Sequence, residues 1–355
     1  MKRKALTLIS ILSLSTLAGA MLTNLVWGNF GPMTPPDLPT PIYIKEDGSI
    51  EGGVGTFQRT GNIYSFLRDI NQTLEIQKDN IILYGNGFRL KRPPEVEMQD
   101  FWSGGTGWYP SIHISTRKNV TIQNIEFEAC HTCIKVENSS KITIYQNKMH
   151  NAGTGVYMTY CTDSSIIGNE FLNSSGTGLF ILFSSYLNIA YNIISGIGWN
   201  GVWVSISDST ITRNGFTNNT NIGLYLYGDN KNNRIFENNF IDNDEGLCFM
   251  STGSGSCFNN TLVNNYWSNR RSEIVNADEF NNVDPAPLAS PISTSFEASL
   301  FDLPLLTPAA SPTPAAQFTS EPFTTTLVTA TVAIGTIFGF GFLLNWAKRK
   351  RVLEP

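Results

Sequence analysis

Apolar and polar positions recur along the centre of the chain with a period near 22 residues. Short apolar segments align there without gaps, and an asparagine follows each segment at the same place. Spacings of 22, 23, 22 and 24 residues separate five of these asparagines: Asn147, Asn169, Asn192, Asn214 and Asn238. We expect their side chains to stack in one interior corner of successive coils, because even spacing returns the chain to the same point in every repeat.

A row of glycines with the same period opens a short alternating strand in each repeat. These glycines are Gly155, Gly178, Gly201, Gly223 and Gly246. Alternate residues of a strand share a face. In segments such as Val156-Tyr157-Met158 the two aliphatic residues should therefore point inward and the middle residue outward.

Two short strands in each repeat leave no room for a helix and cannot bury an apolar face alone. Stacking of coil on coil gives each strand a parallel neighbour about 4.8 Å away and encloses an apolar interior. A leucine-rich repeat would need an L-x-x-L-x-L signature, which is missing. The pattern predicts an all-β fold, a right-handed parallel β-helix (solenoid) over residues 62–269, capped by residues 28–61 and 270–300.

Both ends of the chain have the composition of membrane-targeting segments. Residues 1–27 open with a basic cluster and continue as an apolar run, which predicts a signal peptide or an uncleaved signal anchor. Residues 325–347 predict a transmembrane helix, because their central twenty positions hold no charged residue.

The basic residues of segment 348–355 favour a cytoplasmic tail, so the chain before the span should be extracellular. Residues 301–324 are rich in Pro, Ala, Ser and Thr and predict an extended stalk between ectodomain and membrane. The sequence thus predicts a membrane-anchored ectodomain with a single C-terminal span.

The net charge of −5 conceals a more acidic centre. Seven cations lie at the two ends, and the chain between them carries 17 positive and 28 negative residues, a net charge of −11. Nucleic acid is therefore not an expected partner, since phosphate binding needs a basic face. The acidic centre would also repel polyanionic sugars unless a divalent cation bridges them.

The outward strand residue is aromatic in four consecutive repeats: Tyr157, Phe180, Trp203 and Tyr225. Rings at coil spacing form a stripe about 15 Å long, and their faces suit the C–H groups of an extended glycan. Cross-strand packing, or coverage by residues 270–300, explains the same row without a ligand. Glycan binding requires rings that are open to solvent and roughly coplanar.

A C-x-x-C motif is the strongest metal candidate. It comprises Cys130, His131 and Cys133, and a shift of one repeat places His150 near Glu128, one coil over, as a further possible ligand. Thiol and imidazole ligands suit Cu(I). However, Cys133 occupies the glycine position of later repeats, and cysteine is a common small buried residue. We expect this pair to be structural and the protein to need no cofactor, neither copper nor calcium.

No carboxylate cluster of the kind that polysaccharide-cleaving β-helices need recurs on a strand face. Asp163, Asp208 and Asp229 fall at coil corners, where turn chemistry alone favours aspartate. Residues 242–245 form the most acidic patch but lack the bidentate glutamate of a calcium loop. We therefore expect a protein that is not an enzyme.

The repeats and their flanking motifs resemble the NosD-like family of β-helix surface proteins, over about residues 42–292. The motifs are Pro41-Ile42-Tyr43-Ile44, Asp47-Gly48-Ser49-Ile50, Asn265-Tyr266-Trp267-Ser268, Asn282-Val283-Asp284 and Pro287-Leu288. The resemblance implies the β-helix fold, and archaeal members share the stalk and membrane anchor. The family name comes from a periplasmic protein of copper delivery, which implies copper handling as an alternative function. The family's acidic, Gly-rich segment is shortened here to residues 269–281.

Six N-x-[ST] sequons precede the stalk and are candidate glycosylation sites: Asn71, Asn119, Asn138, Asn173, Asn218 and Asn259. The leading hypothesis is a non-enzymatic cell-surface protein for adhesion or carbohydrate binding. Its expected partners are the membrane and glycans or other cell-envelope components. The alternatives are a polysaccharide-active lyase or hydrolase and a copper-handling protein.

Overall fold

A computed structural model describes residues 40–91, 110–250, 257–268, 274–275 and 287–294. The predicted signal segment, stalk, transmembrane helix and basic tail lie outside these residues. Throughout the described ranges the regular elements are strands, numbered β1 to β31 along the chain. None of the described residues belongs to a helix with the length and apolar character that crossing a membrane requires.

The strands form three sheets, named A, B and C. Sheet A comprises β1 Ile42–Ile44, β2 Ile50–Glu51, β5 Leu74–Ile76, β8 Pro110–Ser115, β11 Thr132–Glu137, β14 Thr154–Thr159, β17 Thr177–Ser185, β20 Val202–Ser207, β23 Ile222–Tyr227, β24 Asn230–Lys231, β27 Glu245–Met250, β28 Cys257–Phe258 and β31 Ile274–Val275. Sheet B comprises β7 Arg89–Lys91, β10 Glu126–Glu128, β13 Lys148–His150, β16 Glu170–Leu172, β19 Ile193–Ser195, β22 Gly215–Thr217, β26 Asn239–Ile241 and β30 Tyr266–Trp267. Sheet C comprises β3 Phe57–Thr60, β4 Ile63–Phe66, β6 Ile81–Tyr84, β9 Lys118–Gln123, β12 Ser140–Tyr145, β15 Ser165–Ile167, β18 Asn188–Ala190, β21 Thr210–Thr212, β25 Arg234–Phe236 and β29 Thr261–Val263.

Strands of successive coils pair in parallel, so the predicted parallel solenoid is confirmed. Only the hairpins β1–β2 and β3–β4, near the start of the described chain, are antiparallel. The expectation of two strands in each coil is wrong, because a coil such as β14–β15–β16 holds three. In each coil one of the evenly spaced asparagines, which we call the ladder asparagines, separates a sheet C strand from a sheet B strand. In the sequence pattern these two strands look like one segment.

Columns of apolar side chains fill the interior. The sheet A column is fully buried and consists of Ile112, Ile134, Val156, Leu179, Val202, Leu224 and Leu247. On sheet B, Phe216 and Phe240 stack with ring centroids 4.8 Å apart, and Trp267 continues the stack at 4.3 Å. Burial of each such side chain contributes about 1.5–3 kcal/mol before the entropic cost of ordering it.

The five asparagines of the even spacing form a continuous buried stack at the corner between sheets C and B. Each Nδ2 donates to the Oδ1 of the next asparagine at 3.0–3.1 Å, and Asn265 extends the stack by one coil. Each Oδ1 also accepts the backbone N–H of the residue one coil earlier, which for Asn147 is that of Ile125. The side chains thereby satisfy backbone groups that the turn removes from the sheets.

The same principle operates at the other corners. Inward Ser and Asn side chains there also accept a backbone N–H from the preceding coil: Ser139, Ser164, Ser184, Ser209, Asn219, Asn230, Asn233, Asn243 and Asn260. Before most of these inward residues stands a residue with φ between 49° and 58°, in the left-handed region. The corner between sheets A and C has two such positions, three residues apart, as at Tyr160 and Asp163.

The glycine row lies where the backbones of successive coils are in close contact. A Cβ atom on Gly155 would lie 2.5 Å from the carbonyl oxygen of Gly178, and one on Gly178 would lie 2.6 Å from that of Gly201. No side chain fits at such distances without a backbone shift, so glycine is required there.

Replacement of Asn192 by alanine should destabilise the fold by about 3 kcal/mol or more, because it leaves several buried groups unpaired. The Asn192 side chain donates to Ile166 O and Asn214 Oδ1 and accepts from the backbone and side chain of Asn169. Urea denaturation of the full chain would measure the loss. Asn188→Ala is the control, since this half-buried asparagine on β18 makes no side-chain hydrogen bond to the described residues. An equal, small effect of both changes would contradict the ladder's role.

Candidate functional site

The four predicted aromatic residues lie in one row on the outer face of sheet A. Strand register pairs Tyr157 with Phe180, Phe180 with Trp203 and Trp203 with Tyr225. Their aliphatic neighbours in each strand are fully buried, so the predicted inward and outward faces are those observed. Lys135 lies beside one end of the row and Cys248 beside the other.

The rings do not form the coplanar, open platform that glycan binding along this row was expected to need. Tyr157 and Phe180 stack with planes 16° apart, but Phe180 and Trp203 meet edge to face at 73°. Trp203 and Tyr225 are tilted by 50°, and Tyr225 is only 8% exposed. Contacts between rings therefore occupy much of the aromatic surface in this row.

Trp203 is half-buried at the centre of this packing. Its ring contacts those of Trp199 and Tyr227 at centroid distances of 5.1 and 5.4 Å, as well as Phe180 and Tyr225. Its Nε1 is buried without a hydrogen-bond partner among the described residues. These neighbouring rings cover much of the Trp203 ring surface.

The predicted cap segment contacts the solenoid elsewhere in its described parts. Strand β31 extends sheet A beyond β27. Residues 287–294 lie against sheet B, where the Asn239 side chain both donates to Ile292 O at 2.7 Å and accepts from Ile292 N at 3.0 Å. Leu288 forms a parallel bridge with Tyr266. The row is thus covered by its own neighbouring rings rather than by these stretches.

The most exposed rings lie at the edge of the row, in the corner between sheets A and C. Tyr160 and Phe183 are 58% and 59% exposed and stack with centroids 5.1 Å apart and planes 17° apart. Tyr186 is 60% exposed and lies three residues after Phe183. Trp199, at the opposite edge of sheet A, is 49% exposed. We call these rings and the adjoining half-buried ones the aromatic face: Tyr157, Tyr160, Phe180, Phe183, Tyr186, Trp199 and Trp203.

Tyr160, Phe183 and Tyr186 occupy left-handed turn positions, with φ of 53°, 51° and 55°. This conformation is unfavourable by about 1–2 kcal/mol for a residue with a bulky side chain, whereas Asn and Asp tolerate it. Equivalent positions in other coils hold Asn138 and Asp208. Neither burial nor backbone preference accounts for the three aromatic residues, so they are candidates for a functional role.

These corner rings were not predicted from the sequence, because the prediction considered only the inward and outward residues of the strands. A signal was nevertheless present, since Tyr160 and Phe183 are 23 residues apart, as are the glycines Gly155 and Gly178 before them. A positional comparison of corners would have found two aromatic residues in the column that also contains Thr116 and Asn138.

A charged cluster continues the same outer row towards the N-terminus. His113 Nδ1 lies 2.8 Å from Glu75 Oε2, and its Nε2 lies 3.1 Å from Glu137 Oε2. Lys135 Nζ contacts Glu137 at 2.9 Å and lies over the Tyr157 ring at 5.8 Å from its centroid. The carboxylates belong to the strands on either side of β8, so the imidazole links three neighbouring strands.

The pKa values of His113 and Glu137 in this cluster are both shifted. The hydrogen bond with Glu75 raises the pKa of His113, against the opposing effect of burial. Burial favours a higher pKa for Glu137, but hydrogen bonds from Lys135 and His113 outweigh it and lower that pKa. The imidazolium form, with both ring nitrogens donating to carboxylates, is thus favoured.

Of the copper candidates, the structure brings the side chains of Cys130 and Cys133 together. Both cysteines lie in the hydrophobic core and are not joined by a disulfide. Burial raises the pKa of Cys133 well above its ordinary value, which disfavours the thiolate that binds metal. Register places His150 opposite Glu128 on sheet B, as the repeat length predicted. Across the described ranges, no group of three or more His, Cys, Asp and Glu side chains is arranged to hold a metal ion.

The acidic corner around residue 242 is built as a turn. Asp242 has φ of 52° and accepts a hydrogen bond from Ser268 Oγ at 3.2 Å. Asn243 is buried and accepts from Asn219 Nδ2 at 2.7 Å. Asp163 and Asp208 also stand at left-handed positions, and Asp229 directly follows the left-handed Gly228. Each of these aspartates thus has a conformational reason to be where it is.

Three parallel sheets, polar corner stacks and an outer aromatic face define a parallel β-helix protein. Residues 72–281 match the family described as "Periplasmic copper-binding protein (NosD)". This match covers more than half of the 355 residues, and the chain belongs to the NosD family.

Solved structures with similar folds share little sequence with this chain. The periplasmic alginate epimerase AlgG is 13% identical, with a TM-score of 0.46 over 66% of this chain and 64% of that chain. PfbA, a surface adhesin of Streptococcus pneumoniae, is 14% identical, with a TM-score of 0.36 over 57% of this chain and 68% of that one. Tailspike protein 3 of bacteriophage CBA120 is 14% identical, with a TM-score of 0.30 over 59% and 46%. The likeness spans less than two thirds of the epimerase chain, and no curated protein matches.

Truncation of Trp203 should reveal its packing role. Trp203→Ala removes contacts with four neighbouring rings and should lower the free energy of unfolding by about 2 kcal/mol. Trp199→Ala, at the exposed edge, is the control and should cost less than about 1 kcal/mol. Both values come from urea denaturation. A Trp203 variant as stable as the wild type would show that its ring is a free surface.

The His113 cluster should make stability depend on pH with a defined sign. Because the folded-state pKa of His113 is raised, its contribution is fully present below the ordinary value of 6.5 and is lost as pH rises through the folded-state pKa. The lowered pKa of Glu137 gives a contribution that is present above 4.5 and is lost as pH falls through its folded-state value.

Unfolding free energies between about pH 5 and 8 would check the histidine contribution. His113→Gln should reduce the decline in the free energy of unfolding as pH rises. The control, His150→Gln, removes a histidine outside the cluster, and its free energy of unfolding should decline as that of the wild type does. Identical pH profiles for wild type and His113→Gln would refute this account of the cluster.

Proposed function

We propose that this chain is a non-enzymatic cell-surface protein that binds neutral glycans through its aromatic face. The observation that carries the proposal is the exposure of three rings at left-handed turn positions, where neither packing nor backbone preference favours them. Aromatic rings that are exposed at a conformational cost are best explained by contact with a ligand. The apolar C–H faces of sugar rings are suitable partners for them.

The charge of this face supports an uncharged ligand. Strands β14, β17, β20 and β23 contain no Asp, Glu, Lys or Arg. Asp163 and Asp208 stand at the same corner position as Tyr186, one coil before and one coil after it. Their carboxylates are placed to accept hydrogen bonds from sugar hydroxyls beside the exposed rings.

The cellular placement follows from the composition of the chain ends. A signal segment, a Pro-rich stalk and a C-terminal span would display the solenoid outside the cell, attached to the membrane. Glycans or other components of the cell envelope would then be the partners, as the sequence predicts. We retain this topology as part of the proposal.

A polysaccharide-active enzyme is the second candidate. The observation in its favour is the His113 cluster, which places an imidazole, two carboxylates and an ammonium group in line with the aromatic row. Such groups supply general acid–base catalysis when one of them can exchange a proton with the substrate. Shortened or unsaturated oligosaccharides, formed by wild type but not by His113→Gln, would favour this candidate.

Replacement of the stacked corner pair should separate binding from stability. Tyr160→Gly and Phe183→Gly should each weaken binding of a neutral oligosaccharide by roughly twofold to tenfold. Stability should stay within about 1 kcal/mol of the wild type, since glycine suits the left-handed turn and creates no sequon. The ligand would be selected by a glycan array with the full chain, and affinities measured by calorimetry.

Lys141→Gly is the matched control, because Lys141 occupies an exposed left-handed corner position outside the aromatic face. It should leave binding unchanged. Unaltered binding by the double variant Tyr160→Gly/Phe183→Gly would overturn the assignment of the site. Loss of several kcal/mol of stability in that variant would instead make the pair a packing element.

A further inference from the structure

The sequon asparagines share a structural position. All six are exposed. Five of them are left-handed corner residues, with φ between 49° and 57°: Asn119, Asn138, Asn173, Asn218 and Asn259. Asn71 is exposed in the turn before β5. The Ser or Thr two residues later is exposed or half-buried in every case. Both parts of each sequon are thus accessible on the folded solenoid.

Buried asparagines behave differently. Those of the ladders, such as Asn147 and Asn169, have no Ser or Thr two residues on. The reason is geometric, because the second residue after a ladder asparagine points back into the core, as Met149 and Phe171 do. Sequons of the corner type can therefore arise only where the acceptor amide faces solvent.

Hydrogen bonds between corners divide the six acceptor amides into two classes. Asn119 Nδ2 donates to Asn80 Oδ1 at 3.0 Å, and Asn259 Nδ2 donates to Asn232 Oδ1 at 2.6 Å. No side-chain amide of the other four donates a hydrogen bond to the described residues: Asn71, Asn138, Asn173 and Asn218. We call the first two amides closed, because a residue of a neighbouring corner accepts a hydrogen bond from their Nδ2. We call the other four amides open.

We propose that the four open asparagines are N-glycosylated on the folded chain and that the two closed ones are modified less. The amide nitrogen forms a bond to C1 of a sugar that is activated by a lipid phosphate. The C1–O bond breaks, its electron pair leaves with the phosphate, and the amide loses a proton to a base of the transferase. An Nδ2 hydrogen bond opposes this reaction, because it must be broken before the nitrogen can attack.

Glycopeptide mass spectrometry of the full chain, purified from the cells that produce it, measures the occupancy of each site. We expect occupancy at Asn119 and Asn259 to be roughly two- to tenfold lower than at the open sites. Asn80→Gly and Asn232→Gly remove the acceptors while suiting the left-handed backbone at those positions. They should raise occupancy at Asn119 and Asn259, respectively, and leave the open sites unchanged.

Three results would overturn the proposal. One is a protein without glycan at any of the six sites. Another is equal occupancy at open and closed sites, as expected if transfer precedes folding. The third is a failure of Asn80→Gly to raise occupancy at Asn119 while urea denaturation shows that the variant is folded.

Discussion

The fold depends on how the backbone N–H groups at the coil corners are satisfied. A turn in each coil removes peptide groups from the sheets while keeping them away from water, and an unpaired buried group is costly. An inward Asn or Ser on the next coil supplies the missing acceptor, as Asn169 does for Asn147 and Ser164 does for Ile142. These stacks hold successive coils in register and let the apolar columns enclose one continuous core.

The same arrangement separates structural from variable positions. The inward corner residue is constrained in size and polarity, whereas the left-handed residue before it faces solvent and needs only to tolerate its backbone conformation. Asn and Asp fill most such positions at little cost, and some of the asparagines lie in sequons. At Tyr160, Phe183 and Tyr186 the left-handed backbone conformation is unfavourable, and the aromatic rings are exposed to solvent. Both proposed roles of the surface, glycan binding and glycosylation, therefore involve corner residues.

Sequence periodicity was sufficient to predict the solenoid, its register and the stack that begins at Asn147, because these depend on one residue type at even spacing. The other corner stacks mix Ser with Asn, as in Ser209 followed by Asn233, so no single letter marks them. The orientation of the rings on sheet A could not be predicted from the sequence, because it depends on contacts between side chains, such as that of Trp199 with Trp203. The His113 cluster was missed because its members are up to 62 residues apart in the sequence and meet only through strand register.

The most direct test of the central claim is hydrogen exchange of the full chain with and without a saturating neutral oligosaccharide. The account predicts slower exchange at the corners that contain Tyr160, Phe183 and Tyr186, and no change on sheet B. Protection confined to sheet B, or the absence of any neutral glycan that binds, would contradict it.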